Sequence, residues 1–218
     1  MQTTVAANRP DVARQIAAYL LNIEAIQLRP EQPFQWSSGW KSPIYCDNRL
    51  SLSFPEVRTY IKNSLAGAIK SNFPAAELIA GVATAGIAQG ALVADVLHLP
   101  YAYVRPEPKK HGMGNQIEGR VLAGQKVVVL EDLISTGGSS LKVVDVLREA
   151  GADVLGMISI FTYGFSLADE NFKQKNVQLV TLTDYDSLLK EALKLDYIES
   201  GQLTTLNKWR EDPGSWGV

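Results

Sequence analysis

The 218-residue chain is 46% apolar and 20% charged with a formal net charge of -2, which fits one sizeable globular core. So small a net charge excludes a global positive field that would draw the chain to nucleic acid or a membrane surface, and any anion must be gripped locally. Cys46 is the single cysteine and His98 and His111 are the two histidines, which excludes an internal disulfide framework and a cysteine-based zinc site.

The opening "MQTTVAANRPDVARQ" has no apolar core of a secretion signal. No window approaches the roughly 18 uninterrupted apolar residues of a membrane span, so a cytoplasmic protein is expected. Residues 11 to 28 set Val12, Ile16, Tyr19, Leu20 and Ile23 at helical spacing and predict an amphipathic first helix. "PFQWSSGWKSPIYCDNR", residues 33 to 49, mixes turn formers with aromatic residues and predicts short strands or a hairpin. Ser53 and Pro55 then mark a helix running towards Lys70, with the serine as cap and the proline in the first turn.

From residue 77 the pattern becomes strand, turn, helix, repeated. The predicted strands are "ELIAGVA", "YAYVR", "QKVVVLED", "DVLGMISIFT" and "VQLVTLT". Between them lie the helix candidate "IAQGALVADVLHL" and a helix carrying Val143, Val144, Leu147 and Ala150, which Gly151 ends. This alternation predicts an α/β fold, a mostly parallel sheet covered on both faces, with ligands at the carboxyl ends of the strands. The loops after Ala83, Arg105 and Asp132 are therefore the informative ones. His98 reads as a helix-end residue without chemistry.

"VVVLEDLISTGGSS", residues 127 to 140, ends a β-branched run in two acids before a turn of hydroxyl residues and glycines. A strand, tight turn and helix start present several backbone N–H groups to one phosphate, aided by the helix dipole. Gly137 and Gly138 permit close approach, and Ser135, Thr136 and Ser139 supply hydroxyl donors. No G-x-x-x-x-G-K-[ST] pattern occurs, so ordinary nucleotide hydrolysis loses support. Carboxylates repel phosphate, so Glu131 and Asp132 should face vicinal hydroxyls of the same ligand, as in a phosphorylated ribose. The plainer alternative makes Asp132 a turn cap and Glu131 a solvated strand end.

This segment resembles the phosphoribosyl-pyrophosphate (PRPP) signature of type I phosphoribosyltransferases. The resemblance implies an open, mostly parallel five-stranded sheet flanked by helices, with a small N-terminal hood. It implies one domain over residues 1 to 218, with about 1 to 50 contributing the hood and about 75 to 183 the PRPP-binding core. Glu131 and Asp132 would hold the ribose hydroxyls, and Leu133, Ile134, Ser135, Thr136, Gly137, Gly138 and Ser139 would surround the 5-phosphate.

"YVRPEPKKHGMGNQIEG", residues 103 to 119, joins two predicted strands without apolar periodicity. Connections this long are more often functional than structural. Arg105, Lys109 and Lys110 outnumber Glu107, and Gly112, Gly114 and Gly119 would permit a lid's hinge; a solvated connector has the same composition. The arrangement R-x-x-x-K-x-H-G followed by N-Q-I-E-G resembles the catalytic loop of orotate phosphoribosyltransferases. That resemblance implies that Arg105, Lys109 and His111 act catalytically by contacting the pyrophosphate of PRPP, and that in a homodimer the loop 105 to 119 closes over the neighbouring subunit's site.

"SSGWKSPIYCDNR" is similar to the S-G-x-x-S-P-x-Y hood pattern of the same enzymes, with Tyr45 suited to stack on a pyrimidine and Lys41 to pair with its carboxylate. "GVATAGIAQG" resembles their pyrophosphate loop, with Thr84 and Ala85 at the turn. Many members carry lysines where this chain has Ser37, Ala85 and Pro106. The arginine that some use for orotate has no counterpart in "SIFTYGFSLADENF", so Ser135, Lys41 and backbone groups are expected to bind orotate. Mg2+ is the implied cofactor, held mainly by PRPP and water with no direct protein ligand. The reaction implied is orotate plus PRPP giving orotidine 5'-monophosphate and pyrophosphate in pyrimidine synthesis. A transferase for another base and a non-catalytic PRPP-binding regulator are the alternatives.

Overall fold

A computed structural model of the chain describes residues 4–5, 10–35, 39–107 and 115–216. The elements in chain order are β1 (Thr4–Val5), α1 (Pro10–Asn22), β2 (Ile26–Leu28), β3 (Phe34–Gln35), β4 (Lys41–Ser42), β5 (Ile44–Cys46), α2 (Pro55–Asn72), β6 (Leu78–Val82), α3 (Gly86–Leu97), β7 (Tyr101–Val104), β8 (Ile117–Glu118), β9 (Lys126–Ile134), α4 (Gly138–Glu149), β10 (Asp153–Thr162), α5 (Ser166–Gln174), β11 (Leu179–Asp184), α6 (Tyr185–Lys194) and α7 (Leu203–Glu211). Short 3-10 turns cover Asn48–Ser53 and Ser200–Gln202.

The main sheet runs β1-β11-β10-β9-β6-β7-β8. The five expected strands form its parallel centre, and the two-residue strands β1, parallel, and β8, antiparallel, extend its edges. Edges this short carry too little periodicity to show in the sequence. From β6 the chain goes outward to β7, then returns to place β9 on the other side of β6. The strand order reverses there, and the crevice between β6 and β9 is where such sheets bind ligands.

Alternation along β9 explains the two layers. Val128 and Leu130 join one buried cluster with Ile16, Leu20, Leu65, Val93, Leu188 and Trp209. Val127 and Val129 join the other, with Leu141, Val144, Leu147 and Phe172. A strand covered on both faces reads as a continuous apolar run, as "KVVVL" does. Helix α1 lies on β11 and α6, so the C-terminal helices complete the layer that the first helix starts. Trp209 is fully buried and meets Tyr163, Phe165 and Tyr185 at 5.5–5.6 Å between ring centroids.

Three boundaries depart from the sequence reading. The first helix stops at Asn22 rather than near residue 28, because Glu24 takes a left-handed φ of 57° and Ile26–Leu28 pairs antiparallel with β5. Helix α2 starts at Pro55 with Phe54 as its cap residue and no side-chain cap, so Ser53 does not serve there; it closes the preceding 3-10 turn instead. Strand β9 runs on through Leu133 and Ile134, which pair with Phe161 and Thr162 of β10, and the turn begins at Ser135.

Candidate active site

Both turns flanking the crevice start a helix. After β6, Thr84 is exposed, Ala85 precedes α3, and the Ile87 N–H donates to the Thr84 carbonyl at 3.2 Å. The Ala83–Thr84 peptide is cis. A side chain on Gly86 would put its Cβ 2.5 Å from the Leu130 carbonyl oxygen, so glycine lets the first turn of α3 rest directly on β9. This contact brings the β6 turn beside the acids.

After β9, Gly137 takes φ 78° and α4 begins at Gly138 without a side-chain cap. Its first N–H groups thus remain available to a ligand. The turn is fastened from outside: Asn171 Nδ2 donates to the Thr136 carbonyl at 2.9 Å, while Thr162 Oγ1 and the Tyr163 N–H both reach the Ile134 carbonyl at 3.2 Å. Ser135 and Thr136 are half-buried, and Gly138 and Ser139 are exposed.

Glu131 is 7% exposed. Its Oε1 accepts the Asp132 N–H at 3.0 Å and its Oε2 accepts the Ser140 hydroxyl at 2.9 Å. A carboxylate offers about four lone-pair sites, so both bonds leave acceptor capacity for a sugar hydroxyl. Burial first, then the Asp132 charge, pushes the Glu131 carboxyl well above the usual carboxylate range. Burial also raises Asp132, opposed by its hydrogen bond with Glu131 and by the Arg49 charge.

The segment after β5 supplies groups that no motif in the sequence marks. Asn48, 1% exposed, donates from Nδ2 to the Asp132 carbonyl at 2.8 Å. Arg49 is gripped by Asp47 through Nε at 2.7 Å and Nη2 at 3.0 Å, and that pairing lowers the Asp47 pKa. The Cys46 thiol reaches Asn48 Oδ1 at 3.5 Å; burial and the Asp132 charge push it well up, which disfavours a nucleophilic thiolate. No local motif marks Asn48, because its partner is 84 residues away.

In the hood region, Lys41 and Tyr45 are exposed. Tyr45 meets Phe34 at 5.6 Å between ring centroids, and the Arg29 guanidinium lies 4.9 Å over Phe34. A cleft of about 210 Å³ opens beside the β9 turn, lined by Trp40, Thr136, Phe165 and Arg210 among others. Arg210 pairs with Asp186 at 2.6 Å.

The expected loop joins β7 to β8. Arg105 closes its neck: the Arg105 N–H donates to the Gln116 carbonyl at 2.9 Å, Gln116 Nε2 donates back to the Arg105 carbonyl at 3.0 Å, and Arg105 Nε lies 3.8 Å from Glu118 Oε1. Lys109 and His111 lie outside the described residues, as does Ser37.

The family model described as "Phosphoribosyl transferase domain" matches residues 52–188. The chain is 59% identical over 203 residues to the orotate phosphoribosyltransferase of Cytophaga hutchinsonii, covering 93% of this chain and 97% of that one. It is 54% identical over 206 residues to the enzyme of that name from Streptococcus agalactiae, covering 94% and 99%. The crystal structure of orotate phosphoribosyltransferase from Aeropyrum pernix superposes with a TM-score of 0.74 at 30% identity, covering 84% of this chain and 99% of that one.

Proposed function

Because the chain belongs to the orotate phosphoribosyltransferases, we propose that it transfers the 5-phosphoribosyl group of PRPP to orotate, giving orotidine 5'-monophosphate and pyrophosphate. The observation that carries this reading is the meeting, at the reversal of strand order, of an acid pair, an uncapped helix start just downstream and a second helix-starting turn packed against them.

Each part answers one demand of the reaction. The 5-phosphate takes the N–H groups and hydroxyls of residues 135 to 139, and the ribose hydroxyls donate to Glu131 and Asp132. The turn at Thr84 and Ala85 faces the pyrophosphate. When C1 of the ribose loses pyrophosphate, positive charge grows on the ring and negative charge on the leaving group, and stabilising that separation is the main task. The acid pair beside the ring fits the first need, with Glu131 held in place by the Asp132 N–H and the Ser140 hydroxyl. Arg105, Lys109 and His111 serve the second, by meeting the departing pyrophosphate and excluding water. Orotate lies against Tyr45, with Lys41 and Ser135 as polar partners.

Mg2+ is the proposed cofactor. It would be held mainly by the hard oxygens of PRPP and by water, with no direct protein ligand, and it would neutralise part of the substrate's charge. A homodimer, in which the 105–119 connection closes over the neighbouring site, and a cytoplasmic location complete the proposal. No described helix is long and apolar enough to cross a membrane.

The test follows orotate absorbance with PRPP and magnesium, repeated with adenine, hypoxanthine and uracil. Orotate alone should be consumed. Turnover of another base in its place would reassign the acceptor, and PRPP binding without turnover of any base would leave a regulator.

A further inference from the structure

A buried run of polar side chains crosses the floor of the site, and neither the binding of PRPP nor that of orotate as described uses it. Gln89 Nε2, on α3, donates to Ser51 Oγ at 3.1 Å. The Ser51 hydroxyl donates to the Asn48 carbonyl at 2.6 Å, and Asn48 Nδ2 donates to the Asp132 carbonyl at 2.8 Å. The Cys46 thiol adds a weak bond to Asn48 Oδ1 at 3.5 Å. Gln89 is 2% exposed, Ser51 fully buried and Asn48 1% exposed.

The direction of the chain is fixed by chemistry. Ser51 has one hydroxyl proton, which goes to Asn48, so it must accept from Gln89. That orients the Gln89 amide with Nε2 towards Ser51 and leaves its Oε1 buried without a hydrogen-bond partner among the described residues. An unpaired buried carbonyl is unfavourable. The glutamine therefore keeps one bond, to Ser51, at the expense of an uncompensated carbonyl.

The ends of the chain give it meaning. One end is the backbone of the acid pair. The other is the first half of α3, which follows directly on the turn at Thr84 and Ala85. The two are joined through the 3-10 turn that continues the hood segment.

We propose that Asn48, Ser51 and Gln89 are positioning residues for the transfer, a hydrogen-bonded strut that sets the spacing between the groups gripping the ribose and the turn facing the pyrophosphate. This rests on the functional reading above. PRPP is the ligand that spans both ends, so its affinity depends on that spacing, while orotate, which meets the β9 turn through Ser135 and otherwise rests on Lys41 and Tyr45, touches one end of the strut and depends on it less.

The experiment compares Gln89→Met, Ser51→Ala, the double variant and Ser51→Thr. PRPP affinity is measured by calorimetry with magnesium, the KM for orotate by turnover, and Tm on the free protein. Gln89→Met and Ser51→Ala should each weaken PRPP binding about tenfold, the worth of one or two buried hydrogen bonds, with the orotate KM within about twofold. The double variant should be no worse than Ser51→Ala, because both substitutions cut one strut. Ser51→Thr, which keeps the hydroxyl, should recover most of the affinity.

Unchanged PRPP affinity in Gln89→Met overturns the proposal. So does a double variant in which the two losses multiply, or a joint weakening of both substrates that follows Tm. Should Ser51→Ala fail to fold, Gln89→Met decides alone. Failure of the wild-type chain to use orotate would overturn the acceptor assignment instead, and the calorimetric comparison would still decide the strut.

Discussion

The turn after β9 and the connection after β7 leave the carboxyl ends of parallel strands on the same side of the sheet and are fastened in different ways. The turn is held along its length: Glu131 by Ser140, the Asp132 carbonyl by Asn48, the Ile134 carbonyl by Thr162 and Tyr163, and the Thr136 carbonyl by Asn171. The connection, in its described part, is closed at the neck by the reciprocal Arg105 and Gln116 bonds and tied by the exposed Glu107–Lys142 pair at 2.6 Å. A pre-organised turn binds the ground state. Groups on a connection closed at its base suit the step in which charge develops. On the proposed function, labour is divided between the two: the β9 turn for PRPP affinity, the β7 connection for kcat.

The largest effect should come from the connection. Lys109→Ala should lower kcat by at least ~10²-fold, the scale of losing one transition-state charge contact, with the circular-dichroism spectrum unchanged. A wild-type kcat would remove the division at once.

The acid pair should respond in the opposite parameter. Asp132→Asn should weaken PRPP binding about 10- to 100-fold, as for losing hydrogen bonds to a charged group, with a smaller change in kcat; calorimetry with magnesium measures it. The same variant carries a pH signature. Burial raises Asp132 from its ordinary value and Glu131 well above its own, so the folded chain binds more protons than the unfolded one. Their contribution to stability is full below the ordinary carboxylate pKa and is lost as pH rises through the raised folded values. Near neutral pH, Asp132→Asn should therefore raise Tm while it weakens binding, and the rise should vanish in acid. A Tm that falls at neutral pH would mean the carboxylate serves the fold.

Rigidity of the turn itself is tested by Gly137→Ala. At φ 78°, with a Cβ 2.6 Å from Phe172 Cε2, alanine should lower stability by about 1 to 2 kcal/mol in urea unfolding and weaken PRPP binding with it. The smallest effect is expected at the other region: Lys142→Ala removes a pair whose side chains are 58% and 72% exposed and should change stability by less than ~0.5 kcal/mol. A larger loss would show that the connection is held more firmly than its neck suggests.

The same contrast explains what could be read in advance. Residues 127 to 140 lie within one strand, turn and helix start, so acids, hydroxyls and glycines appear in the sequence in the order in which they line the crevice. The central strands were equally legible, because a strand buried on both faces is a continuous apolar run. The hood was only partly so. Its short strands pair across a few residues, and Ile26–Leu28 continues a helical apolar pattern that its pairing with β5 overrides. Asn48 and Gln89 had no signal at all, since a buried amide is marked by its partner in space. Trp209 and Arg210 likewise gain their surroundings only when α7 returns to the ends of β10 and α6.

The proposed function depends on how one sugar phosphate is held, and a crystal of this protein soaked with ribose 5-phosphate examines it most directly. The phosphate should lie within about 2.7–3.2 Å of backbone nitrogens between residues 135 and 139, with the ring hydroxyls on the carboxylates of Glu131 and Asp132. A sugar bound elsewhere, or one whose hydroxyls point away from both acids, would contradict it.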